Sequence, residues 1–149
     1  MFTGCVEQES TDRSAVPNLD VECSSAQVRT PQCRTAGDVL FLGITKDYSI
    51  DCATVLAISS STQRNAYFDA FAENITMTKS GFITTAPITS WLSGLGGSAG
   101  TITNGNYKIC AFIESPSGNG RLDVNEPIGS GEVVVGGPSP QVANDWKSY

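Results

Sequence analysis

At 149 residues the chain is long enough for one domain with a real core and too short for two full-sized ones. Hydrophobic residues make up 40%, an ordinary share for a globule, and no apolar run reaches the roughly 18 residues that a membrane-spanning helix needs. A net charge of −6, with 16% charged residues and no histidine, leaves no basic stripe for nucleic acid and removes the commonest general base and metal ligand.

In chain order the first feature is Cys5, in FTGC followed by the polar run VEQESTDR. FTGC resembles the end of a bacterial lipoprotein signal, where an apolar residue, a small residue and Gly or Ala precede the lipidated cysteine; Phe2 stands where Leu is usual. The resemblance implies lipidation of Cys5 and membrane contact only through that anchor; a free or disulfide-bonded cysteine is the alternative. Residues 1–37 read as a polar N-terminal arm or tether, because from Cys5 onward the segment has no aromatic residue and carries Pro17 and Pro31. With Cys5 set apart, Cys23, Cys33, Cys52 and Cys110 form an even set suited to two disulfides in an oxidising compartment. None of the five belongs to a CxxC pair, which argues against zinc. Four cysteines allow three connectivities. Cys23–Cys33 with Cys52–Cys110 is the preferred set, contributing about 2–3 and about 4 kcal/mol by loop-closure entropy.

From Asp38 the chain becomes short apolar runs separated by turn residues. DVLFLGIT (38–45) is apolar on both faces, as a central strand is. CATVLAIS (52–59) alternates and reads as a strand, while NAYFDAFAENITMT (65–78) reads as two strands with a bend near Glu73. GFITTAPITSWL (81–92) is β-rich with Pro87 as a break or an edge. YKICAFIE (107–114) and EVVVG (132–136) are the clearest strands. In the first of these, Tyr107, Ile109, Ala111 and Ile113 share one face, with Lys108, Cys110, Phe112 and Glu114 on the other. The pattern predicts an all-β fold: an antiparallel β-sandwich of seven to eight strands over residues 38–137, with an extended N-terminal arm. Residues 138–149 form a C-terminal tail. Trp146 and Tyr149 are too large for a free end, so it docks on the sandwich or links to a partner surface.

The segment ESPSGNGRLDVNEP (114–127) has the spacing of a calcium loop. With Gly120 at the sharp sixth position, the ligands become Ser115, Ser117, Asn119, the Arg121 carbonyl, Asp123 and Glu126, and Leu122 becomes the apolar anchor. Serines replace two carboxylates, so a Ca2+ site here is weak, roughly 0.1–1 mM, or vestigial. Pro127 prevents a helix from following, which makes the loop a strand–loop–strand turn. An ordinary turn held by Asn and Asp side chains explains the same residues. Around it, Gly105, Tyr107, Ile109, Ala111, Phe112, Asn119, Gly120, Asp123, Glu126, Pro127 and Gly129 follow the pattern GxYxVxAFxDxNxNGxxDxxEPxG, with one extra residue between Phe112 and Asn119. That stretch of about 25 residues resembles the carboxypeptidase-regulatory or transthyretin-like group and the repeat domains of bacterial surface adhesins. The resemblance implies an exported Ig-like or transthyretin-like sandwich at the cell surface, in the outer membrane or outside the cell.

GLGGSAG (94–100) lacks the Lys and Ser/Thr of a phosphate loop and reads as an inter-strand loop; Asn74-Ile75-Thr76 is a sequon inside an expected strand. No nucleophile–base pair stands out, so the expectation is a non-catalytic structural or adhesive domain. Two alternatives use other features. In one, the chain is a self-assembling subunit of a filament or array whose arm docks on a neighbour. In the other it is a glycan- or ligand-binding module using Trp91 or Tyr107.

Overall fold

The computed structural model describes residues 12–24, 37–80, 83–137 and 145–149. Eleven strands and two short helices occur among them, and every strand pair is antiparallel. The strands are β1 (Arg13–Ala15), β2 (Leu19–Ser24), β3 (Val39–Thr45), β4 (Ala70–Thr76), β5 (Thr78–Ser80), β6 (Ile83–Ile88), β7 (Leu92–Ser93), β8 (Thr101–Thr103), β9 (Gly105–Glu114), β10 (Pro127–Val135) and β11 (Asp145–Ser148). Helices α1 (Cys52–Leu56) and α2 (Ser61–Asn65) follow β3. The expected all-β antiparallel sandwich is what forms. A six-stranded sheet runs β11-β10-β9-β3-β4-β7, a three-stranded sheet runs β2-β6-β5, and β1 pairs with β8.

The two-faced apolar character of β3 has a direct cause: the large sheet is covered on both sides. Leu40, Leu42 and Ile44 of β3 join Ile109, Ala111 and Ile113 of β9, and the core they form also takes in Val21 of β2 and Ile88 of β6. Phe41 points the other way and meets Phe68, Phe71 and Phe112, with ring centroids 5.7, 5.9 and 5.8 Å apart. That second core is capped by Val55 and Leu56 of α1 and by Leu122 and Ile128. The two faces expected for residues 107–114 divide between these cores, with Cys110 and Phe112 in the second.

Several expectations need correction. Residues 52–56 are a helix rather than a strand. Asp51 caps it, its Oδ2 accepting from the Thr54 N–H (3.1 Å) and the Thr54 hydroxyl (2.6 Å), which satisfies one of the amides that a helix start leaves open. In the segment 65–78, Asn65 ends α2, and the chain becomes extended only at Ala70. The bend expected near Glu73 is a register shift opposite Leu40 and Leu42, with Asn74 at φ 58°. After Met77 the chain leaves the large sheet and enters the small one as β5. Pro87 lies in β6 beyond Thr85, the last residue paired with β5, so its missing N–H costs no bond on that side.

Residues 13–24, expected within a polar arm, belong to the sheets instead. Val16, Leu19, Val21 and Cys23 are buried while Asp20 and Glu22 face out. The alternation L-D-V-E-C is a strand pattern that needs no aromatic residue. At the other end Trp146 is 3% exposed, and its indole N–H donates to the Glu22 carbonyl at 2.8 Å, tying the edge of the large sheet to the edge of the small one. A Cβ at Gly129, opposite Trp146, would stand 2.7 Å from the indole ring, so glycine is what lets that ring lie flat on β10. Among the described residues no helix is long and apolar enough to cross a membrane.

Candidate functional site

The loop between β9 and β10 holds all six residues expected to line a calcium site. Its shape comes from a series of local hydrogen bonds. The Gly118 N–H donates to the Ser115 carbonyl (2.9 Å), and the two serine hydroxyls, Ser115 and Ser117, lie 3.3 Å apart. Gly120 turns the chain at φ +80°, a left-handed conformation that glycine adopts without strain, and its N–H donates to Glu114 Oε1 at 3.1 Å. Asn119 Oδ1 accepts from the Arg121 N–H at 3.1 Å, an Asx turn. Leu122 is 2% exposed and its N–H donates to the Leu56 carbonyl (2.9 Å), so the apolar residue of the loop anchors it to α1. Glu126 Oε1 accepts from the Asp123 N–H at 2.7 Å, and the Glu126 N–H donates to the Asp123 carbonyl at 3.2 Å.

This donor set faces its own backbone. Serine hydroxyls, the Asn119 oxygen and one oxygen each of Glu114 and Glu126 are engaged inside the turn, and the Arg121 Nε stands 3.7 Å from Asp123 Oδ1. Among the described residues no three His, Cys, Asp or Glu side chains converge as a metal-ligand group. These hydrogen bonds close the turn on itself.

A positive charge that the sequence did not single out reaches the loop from α2. Arg64 is 3% exposed; its guanidinium donates to the Gly120 carbonyl, lies 4.1 Å from the Phe41 ring centroid, and stands 3.4 Å from Glu73 Oε1. Burial lowers the Arg64 pKa and the charges of Glu73 and Glu114 oppose that, so the guanidinium is a desolvated cation with acidic neighbours. The cavity between them, about 30 Å³ and bordered by Phe41, Phe112, Glu114 and Gly120, has room for a water molecule but not for a ligand.

The acids behave accordingly. Burial pushes the Glu114 carboxyl up, the Gly120 N–H and Arg64 pull it down, and Asp123 pushes it up again. Glu126 is raised from 4.5 to about 7, first by burial and then by the charges of Glu114, Asp123 and Asp38, against the Asp123 N–H. Asp38, at the start of β3, is itself raised by burial. Arg64 could be found only through the fold. It sits 56 residues before Gly120, in a five-residue helix with no readable period.

Beneath the loop Cys52 of α1 and Cys110 of β9 form a disulfide with Cα atoms 5.4 Å apart, the pairing preferred from the sequence. Cys23 is also disulfide-bonded and 0% exposed; Cys33, its preferred partner, lies outside the described residues, as does Cys5. Trp91 and Tyr107, the two aromatic residues put forward as sugar platforms, are 7% and 1% exposed. Each gives its polar hydrogen to a carbonyl, Trp91 to Pro17 (3.2 Å) and Tyr107 to Thr103 (2.5 Å), so both serve the core. Comparison with known protein families, curated proteins and solved structures finds no match.

Proposed function

We propose that the chain is a non-catalytic, exported domain with a structural or adhesive role at a bacterial surface, its residues 115–126 a weak or vestigial calcium loop. The Cys52–Cys110 disulfide carries this reading, because such bonds persist in oxidising compartments and are rare where thiols are kept reduced. It links α1 to a central strand of the large sheet, so it braces the body of the fold and not a reactive surface. The carboxylates of the acidic loop support the non-catalytic part: Glu114 and Glu126 each spend an oxygen on a backbone amide that holds the turn. The pairing of residues 13–24 with β6 and β8 of their own chain favours a self-contained domain over an arm given to a neighbour.

Protease treatment of intact cells carrying the full-length protein tests the location. Cleavage in the exposed loop at residues 115–120 without cell lysis is the expected outcome, and a chain untouched until the cells are broken contradicts export. The loop has a separate test in a melting scan with and without calcium at a few millimolar, since an ion that binds only the native state raises the midpoint. The self-closed turn predicts no shift.

A further inference from the structure

A second concave site lies away from the acidic loop, where the β1–β8 pair meets the turn after β7. Its volume is about 290 Å³, near the lower end of small-ligand pockets and suited to a ligand the size of one sugar ring. Arg13 of β1, Lys46 after β3 and Asp69 before β4 line it, together with Ser98, Thr101 and Tyr107.

The two cations are presented differently. Arg13 is braced by Thr101, its Nε donating to the hydroxyl at 3.2 Å and its Nη2 to the carbonyl at 2.5 Å; three of the five guanidinium N–H donors are left for another partner. The Lys46 ammonium lies 5.6 Å from the Tyr107 ring centroid and makes no hydrogen bond or ion pair with any described residue. Asp69 accepts the Lys46 backbone N–H on Oδ2 at 3.0 Å, and Oδ1 remains an acceptor.

Together Arg13, Lys46 and Asp69 give the lining a net charge of +1, in a chain whose net charge is −6. A bare oxyanion would meet the two cations but also the Asp69 carboxylate. A zwitterion would satisfy all three groups yet leave the excess positive charge unmatched. A ligand with one carboxylate and several hydroxyls answers every group: the carboxylate to Arg13 and Lys46, hydroxyl donors to Asp69, hydroxyl acceptors to Ser98 and Thr101. We propose that this pocket binds a small polyhydroxylated monocarboxylate of the sugar-acid class, free or as the terminal residue of an acidic saccharide. The proposal stands on its own residues and does not depend on the structural role proposed above.

Titration of the isotope-labelled full chain with glucuronate, followed by amide NMR, tests it. Saturable shifts at Ser98 and Thr101 are expected, with a Kd on the order of 1 mM. Lys46 is an exposed side chain, so Lys46→Gln keeps the fold and its spectrum elsewhere, and weakens binding roughly tenfold. Arg13→Gln is the second variant and shows the same direction. A short oligouronate that binds more tightly than glucuronate identifies a saccharide terminus, and one that binds no better identifies the free acid. Glucose or inorganic phosphate binding as tightly as glucuronate overturns the proposal, and so does the absence of any saturable shift.

Discussion

Glu126 does two things that pull in opposite directions. Its Oε1 holds the Asp123 amide, while burial and three neighbouring carboxylates disfavour its charge and raise its pKa to about 7. A carboxyl whose folded pKa lies above its unfolded value binds protons more tightly in the native state. Its contribution is therefore complete below the ordinary 4.5 and is lost as pH rises through about 7. Glu114 and Asp38, also raised by burial, act with the same sign. Glu126→Gln keeps the acceptor oxygen and removes the charge. Melting midpoints measured between pH 4.5 and 8 should fall less steeply for this variant than for the native chain, and at pH 8 the variant should be the more stable of the two. Arg64 is the opposite case, a buried cation that the loop needs. Arg64→Ala strips the Gly120 carbonyl of its donor and leaves the Phe41 face bare, at an expected cost of about 2–4 kcal/mol in denaturant unfolding. The polar residues of the turn were legible in the sequence because Asn, Gly and Asp act within a few residues of themselves. Arg64 was not, because its contact depends on packing across the chain.

Elements divide by what decides them. Residues 38–45 and 107–114 were readable as strands because burial on one or both faces is written in their side-chain alternation. Residues 52–56 were not: a short apolar run fits a buried strand or a buried helix, and the Asp51 cap with the tie to Cys110 decides for helix. The strand at residues 19–24 was hidden for another reason, its burial resting on Val21 and Cys23 beneath a charged outer face. How β10 and β11 fit together depends on one close approach. Gly129→Ala would push a methyl group into the Trp146 ring, 2.7 Å away, and displace the indole from the Glu22 carbonyl. A loss of about 1–3 kcal/mol is expected, read as a lower urea midpoint. An unchanged midpoint would show that β11 does not hold the sheets together.

At the scale of the whole molecule the fold is a large sheet between two cores, one facing the small sheet and the other lying beneath the helices and the acidic loop. The Cys52–Cys110 bond joins α1 to the large sheet within that second core. It closes a span of 58 residues, for which the loss of a disulfide costs about 2–4 kcal/mol. The same bond is compatible with the proposed export, since disulfides persist mainly in oxidising compartments. The proposal of an exported, stapled domain is tested by the state of these two cysteines in the cell. Intact cells are treated with a membrane-permeant alkylating reagent before lysis, and the protein is digested without reduction and analysed by mass spectrometry. The account predicts a linked peptide containing Cys52 and Cys110 with neither sulfur alkylated. Recovery of both cysteines as alkylated thiols would contradict it.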